Sequence, residues 1–469
     1  MLSNLAVKER VLDLGFDLAG IAPIGVWKDL EFSRQWVAMG FNGEMRYLEN
    51  PKRFDPLLVL PSAKSVICVG MVYNTPLPYS TEVGGRGVRS QKSQRRSQKT
   101  EVRSLNEQDT SEESKGGAPE PVVGCVSSSV SNNGQQTTGN GRLAVSSSHL
   151  PVSAAATPRA WISRYAWGQD YHKIMRAKLE QLRAALEELA PGVETRAFVD
   201  TGPVVERAFA RFSVIGWMGK NTCIINQEKG SWFFLGVILT DLELAPDLPA
   251  PDRCGSCTAC IEACPTGALV RPYVMDASRC ISYFSIELKG SIPELFRPKI
   301  GSNVFGCDIC QDVCPWNDSH QPSAFSFQRK PSAQRQSADK SCVKQAATTK
   351  VPQFCPMSVA AAQPTPKDGD NRKQLATDHG RLTTDDASFS LFNPTLDVLA
   401  LISEDDFRRI FAHSPLKRVK YRGWLRNLCL AMGNSGDEKF VPWLERVAQH
   451  SDPIVREHAA WALERLRGK

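Results

Sequence analysis

A cysteine run between Arg253 and Asn317 constrains this chain more than any other feature. Cys254, Cys257 and Cys260 stand three apart and Cys264-Pro265 follows, giving C-x2-C-x2-C-x3-C-P. Cys280 comes next, then Cys307, Cys310 and Cys314-Pro315, so this stretch holds eight of the fourteen cysteines. In such runs three close thiolates hold one 4Fe–4S cubane and the fourth reaches the other cluster. That rule assigns Cys254, Cys257, Cys260 and Cys314 to one cluster, and Cys280, Cys307, Cys310 and Cys264 to a second. A structural zinc site is the competing reading. It asks for tetrahedral groups of four, commonly two C-x2-4-C pairs, and leaves the prolines after Cys264 and Cys314 unexplained. A disulfide framework is weaker still. Cys68, Cys125, Cys223, Cys342, Cys355 and Cys429 are scattered and read as packing or surface thiols. Thiolate clusters beside unpaired cysteines fit a reducing, cytoplasmic setting.

At 469 residues the chain has room for two or three domains. No run approaches the ~20 apolar residues of a membrane span, and the N-terminal stretch lacks the pattern of a secretory signal. Residues 1–79 read as compact α/β structure. Their first helix carries Leu5, Val11, Leu12 and Leu14, a second covers KDLEFSRQWVAM, and AKSVICVGMVY is a buried strand. Residues 80–157, rich in Ser, Gln, Thr and Gly, read as a disordered insertion. The Arg95-Arg96 patch there is read as solvated. Order resumes at residue 158, with a helix from Tyr171 to Leu189 and a strand ending in Asp200-Thr-Gly-Pro203. GWMGKN lacks the spacing of a phosphate-binding Walker loop. Residues 158–245 thus complete the first domain, 246–317 form the cluster domain, and 318–390 read as a flexible insertion or linker.

Residues 391–469 read as helical. LRNLCLAMGNSGD and VREHAAWALERLRG match at an offset of 31 residues, the mark of a short HEAT-like stack. From Phe407 to Arg426 there are seven basic residues and no acid, interleaved with Tyr421 and Trp424. Net charge is only +7, so the argument for a polyanion rests on this segment. Lys417, Arg418, Lys420, Arg422 and Arg426 are the candidate RNA-backbone contacts.

Two clusters alone make an electron carrier, but a chain this long points to a redox enzyme with a second site. Asp200 is the candidate acid, because a carboxyl at the end of an apolar strand is partly desolvated and its pKa raised. Taken alone, a loop-capping Asp is the plainer reading. His172 in DYH reads as structural.

The cluster stretch, ISRYAWGQDYHKIM, VDTGPVVERAFARFSVIGWMGKN and SPLKRVKYRGWLRNLCLAMGNSG together resemble the epoxyqueuosine reductase family. The resemblance implies an α+β fold: a reductive-dehalogenase-like α/β cobalamin-binding domain, a two-cluster ferredoxin-like domain and C-terminal HEAT-like repeats. It implies reduction of epoxyqueuosine to queuosine in the anticodon loop of tRNA, with electrons passed through two 4Fe–4S clusters to a base-off cobalamin. The family's proton donor falls on Asp200. Arg53, Ser163, Tyr165, Lys220 and Asn221 lie in the matching segments and are the candidate corrinoid contacts. A low-potential donor such as a flavodoxin or ferredoxin is expected, with the protein acting as a monomer. The alternatives are a ferredoxin-like or corrinoid-activating carrier, which needs no RNA-binding tail, and an exported reductive dehalogenase, which needs a leader.

Overall fold

The strand read from AKSVICVGMVY is central. In the computed structural model, which describes residues 2–25, 27–83, 157–317, 348–360 and 388–468, it spans Ser65–Val72 and all eight residues are buried. Its side chains alternate between two cores, as the two-residue period of a strand requires. Ile67, Val69 and Met71 enter one, and Val66, Cys68 and Val72 the other. We number its sheet β1 (Leu18–Pro23), β2 (Ser65–Val72), β3 (Thr195–Phe198) and β4 (Phe233–Thr240). The spatial order is β1-β2-β4-β3 and every pairing is antiparallel, with Ile67 opposite Ile21 on one side and Ile238 on the other.

Helices cover both faces. On the first lie α1 (Asn4–Asp13) and the long helix Tyr171–Leu189, numbered α3; on the second lie α2 (Trp27–Ala38) and α4 (Glu206–Arg211). Helix α3 presents Met175, Leu179, Leu182 and Leu186 to the sheet, the alternating four- and three-residue spacing of one helical face. Each such side chain contributes roughly 1.5–3 kcal/mol on full burial. The buried face of α1 is Val7 and Val11, whereas Leu5 and Leu12, expected inside, are exposed. The helix offers a narrow stripe to the sheet, and Leu5 and Leu12 fall outside it.

Two expected boundaries move. Residues 348–360 are not linker. Phe354 is buried and packs edge-on against Phe234, while Gln169 N–H donates to Gln353 O at 2.7 Å. Gly168 makes room for this segment, since a Cβ there would meet Gln353 O at 2.1 Å. Ser80–Val83, assigned to the first insertion, form a helical turn whose Ser80 N–H donates to Asp312 at 2.9 Å. The rest of 80–157 except Thr157, Arg95 and Arg96 included, lies outside the described residues, as do 318–347 and 361–387.

The C-terminal helices α5 (Lys420–Ser435), α6 (Val441–Val447) and α7 (Pro453–Arg467) pack together, with Leu444 of α6 buried between its neighbours. Their core is not private. It runs on into Trp161, Ile162, Trp167, Val304 and Phe305, where Asn303–Phe305 pairs in parallel with Trp161–Ile162. The tail is therefore fused to the cluster region rather than hung from it. Trp424, read as one of the aromatics between RNA-binding charges, is fully buried in this core.

Candidate functional site

The four thiols that the spacing assigns to one cluster come together. Cys254, Cys257, Cys260 and Cys314 line one cavity of about 280 Å³ with Lys220, Asn221, Arg253 and Trp316. Among the described residues no three His, Cys, Asp or Glu side chains converge on a point as one metal ion would require. A cubane asks for something else, four thiolates standing around a cluster. In the second group burial pushes the thiols of Cys307 and Cys310 well up, and Cys280 adds to both. Cys264 in turn acts on Cys280. In the first group Cys257 is exposed and Cys314 buried, whereas the four thiols of the second group are all intermediate.

The loops are held by side chains from elsewhere. Lys220 donates from Nζ to Gly255 O at 2.7 Å and Cys257 O at 2.9 Å. Asn221 donates from Nδ2 to Cys310 O at 3.2 Å. Both, expected as corrinoid contacts, here hold cluster-loop carbonyls. Ser163, another expected contact, is likewise held by protein. It is buried, and its hydroxyl donates to Asp308, which also accepts from Trp161 Nε1 at 3.0 Å and Arg164 N–H at 2.7 Å. Tyr165, the remaining candidate apart from Arg53, stands edge-on to Tyr171 with ring centroids 6.1 Å apart. Arg164, which the sequence did not single out, is buried among Tyr79, Trp167 and Trp232 and donates to the carbonyls of Thr75, Leu77 and Pro78.

A second cavity, of about 520 Å³, adjoins the hairpin that carries Lys220 and Asn221. Arg53, Arg207, Arg211 and Arg271 rim it, and Phe32, Trp36, Phe54 and Tyr273 supply apolar wall. The hairpin pairs Trp217–Met218 with Ile224–Ile225. Lys220, Asn221 and Ile225 face the thiol cavity, while Met218 and Thr222 face the arginine-rimmed one. One short element thus walls both. Arg53 also donates from Nη1 to Gly202 O at 2.6 Å, which ties this cavity to the loop carrying Asp200.

Asp200 has φ 52°, in the left-handed region that non-glycine residues rarely occupy. Such strain is kept where surrounding contacts over-determine it, and it marks functional loops. Tyr171 donates from its hydroxyl to Asp200 Oδ2 at 2.6 Å, His172 Nε2 lies 3.3 Å from the same oxygen, and Arg418 Nη1 lies at 4.0 Å. The His172 contact is an ion pair, without the alignment of a hydrogen bond. Behind it, His172 Nδ1 meets Asp170 Oδ1 at 2.8 Å, and Lys417 Nζ meets Asp170 Oδ2 at 2.9 Å. Asp170 also caps α3.

The electrostatics reverse the expectation for Asp200. Burial alone would push its carboxyl up, but His172, Tyr171 and Arg418 outweigh burial and bring it down to about 2. Half of the side chain (51 %) faces solvent, so water screens these partners. The outcome is an ionised carboxylate at neutral pH. Burial disfavours charge on His172, yet Asp170 and Asp200 outweigh it and raise the ring to about 9. Nearby, burial lifts Glu206 to about 7, and its Oε1 has no hydrogen-bond partner.

The basic segment divides. Arg426 is fully buried, donating to the carbonyls of Phe284, Leu288 and Gly290 at 2.5 to 2.9 Å, so it is not an RNA contact. Lys417 and Arg418 are half exposed and paired, the latter with Glu287 at 2.8 Å. Arg422 reaches Asp452 at 3.3 Å, and Lys420 is exposed.

Residues 253–317 match a family described as a 4Fe-4S double cluster binding domain. Residues 143–201 match one described as epoxyqueuosine reductase QueG, DUF1730. The chain is 32% identical over 468 residues to an epoxyqueuosine reductase of Pseudomonas aeruginosa, covering 98% of this chain and 93% of the relative. A second, from Cellulophaga algicola, is 31% identical and covered to 95%. A crystal structure of an epoxyqueuosine reductase with a tRNA-Tyr epoxyqueuosine-modified stem loop superposes with a TM-score of 0.65 at 24% identity, covering 98% of this chain and 89% of that one. That likeness speaks for the fold.

Proposed function

The chain belongs to the epoxyqueuosine reductase family and is an oxidoreductase with an iron–sulfur domain, and from that premise we propose that it reduces epoxyqueuosine to queuosine in tRNA by way of cobalamin. The observation that carries this reading is the shared hairpin: cluster thiols lie on one side of it and an arginine-rimmed cavity on the other. The second cavity suits part of a corrinoid. Its guanidinium groups match a phosphate and side-chain amides, and its aromatic wall matches an apolar ring. Arg53, Arg207, Arg211 and Arg271 are the residues that would hold it.

Cobalamin, when bound, supplies a low-potential route for electrons into the epoxide. The protein's own residues do the rest. Lys220 and Asn221 fix the cluster loops. Arg418, which lies beside Asp200 and Glu287, and the exposed Lys420 and Arg422 offer cations to the RNA backbone. Asp200 puts protons on the departing oxygen, because an unassisted alkoxide leaves poorly near neutral pH. Residues 1–79 and 158–245, joined by 348–360, form the cofactor-binding body; 246–317 form the ferredoxin-like part; 391–469 form the HEAT-like part that faces tRNA. A low-potential flavodoxin or ferredoxin serves as donor, and the protein works in the cytoplasm as a monomer. Among the described residues no helix is long and apolar enough to cross a membrane.

Anaerobic reconstitution tests the reading. With cob(II)alamin added, the cobalt EPR spectrum should be base-off and should change when tRNA carrying epoxyqueuosine is present. A base-on spectrum identical to the free cofactor would leave only an iron–sulfur electron carrier.

A further inference from the structure

Removing an epoxide oxygen to leave an alkene consumes two electrons and two protons, and the oxygen departs as water. If a low-potential donor supplies the electrons through the iron–sulfur centres, the protein must supply both protons at one oxygen. Asp200 rests as a carboxylate, so it must receive each proton before it can give one. Its neighbours differ in what they can offer. Arg418 does not release a proton at accessible pH. Tyr171 already donates to Asp200 at 2.6 Å, but burial and the Asp200 charge hold its hydroxyl well above the usual phenol range. His172 remains, with Nε2 at 3.3 Å from Asp200 Oδ2.

We propose that His172 is the proton carrier of this site, passing a proton from Nε2 through Asp200 to the departing oxygen twice in each turnover. The proposal rests on the epoxide-reducing reading above. The geometry around the ring supports it. Asp170 accepts from Nδ1, so a ring that has given up the Nε2 proton keeps the one on Nδ1 and leaves Nε2 bare toward Asp200. Lys417 anchors the other oxygen of Asp170, and the ring stacks on Tyr171 at 4.1 Å, which together hold its plane. Asp170 stays ionised throughout, as the orienting acid of a catalytic triad does. The charged groups facing the pair come from three segments: Asp170 at the start of α3, Asp200 after β3, and Lys417 with Arg418 in the turn before α5. The exposed fifth of His172 does not include Nε2, which is shielded from solvent, so the ring has to turn or the Asp200 loop has to move before water recharges it. By this assignment His172 is a positioning and relay residue, and Asp200 alone touches the reacting oxygen.

The test has two arms on the full-length protein. Ring NMR of the seven histidines, with His172 identified by its loss in His172→Gln, needs no cofactor. His172 should titrate near 9, and Asp170→Asn should lower its midpoint. An ordinary midpoint, unmoved by Asp170→Asn, overturns the proposal. The second arm uses the reconstituted holoenzyme with epoxyqueuosine-containing tRNA. Wild-type kcat should fall as pH rises through the His172 midpoint. In His172→Gln that limb should vanish and kcat should drop on the order of 10²-fold, with KM for tRNA little changed. Glu206→Gln is the control for a rival carrier. If it removes the alkaline limb while His172→Gln retains it, the protons come from Glu206 and the proposal fails. A wild-type holoenzyme that reduces no epoxide, with the NMR shifts intact, would instead overturn the epoxide-reducing reading.

Discussion

The cluster loops and the Asp200 site both gather ionisable groups at close range, and they do so by opposite means. In the loops the neighbours of each thiol are other thiols, and burial pushes Cys260 to about 11 and Cys314 to about 12. A buried thiol of this kind becomes a thiolate when a metal takes the place of its proton. Around Asp200 the protein has placed its own countercharges, so the carboxylate and His172 are ionised together. The loops draw their ligands from one 64-residue stretch, Arg253–Trp316. The acid site draws on segments around residues 170, 200 and 418. A local motif suffices where the metal organises the site; a preformed ion-pair network has to be assembled by the fold.

The largest effect that could break this contrast is loss of a cluster ligand. Cys307→Ala should halve the iron bound after anaerobic reconstitution, from about eight to about four per chain, and abolish turnover. Retention of full iron would reassign Cys307. Asp200→Asn should lower kcat about 10²–10⁴-fold with the cluster spectrum unchanged, showing that the two sites fail separately. Arg426→Ala probes stability. It strands buried carbonyls and should cost roughly 3 kcal/mol in chemical denaturation, whereas Arg422→Ala, on the same helix but exposed, should change stability little. The smallest effect is electrostatic. Arg422→Ala should weaken tRNA binding and reduce the slope of log K against log salt by about one. An unchanged slope would remove Arg422 from the RNA surface.

Which cations of the tail are free was not legible from their spacing. Arg422 and Arg426 are four apart and read alike, yet one faces Asp452 and the other is enclosed by Phe284, Leu288 and Gly290. The fused core decides this, because α5 is enclosed on more than one face: Arg426 points into the cluster region, while Trp424 packs on Phe407 and Phe411. The same holds for Lys220 and Asn221. Their place in a segment resembling the family makes them candidates, but only the packing of that hairpin on the cluster loops shows that they hold protein carbonyls. Phe354 was missed because it stands within a low-complexity stretch, where it, Val351, Met357 and Val359 show no sustained helical or strand period.

The sequence by itself located the double-cluster stretch, the central strand Ser65–Val72 and the helix Tyr171–Leu189. Cysteine spacing and hydrophobic period are local properties, set within a few residues, and so survive being read one segment at a time. Tertiary structure alone decided the protonation of Asp200. Desolvation at a strand end argues for a raised pKa, and the strand is visible in the sequence. The cations and hydroxyl that overturn that argument lie about 30 residues before it and more than 200 after it, and electrostatic energy depends on distance in space rather than along the chain.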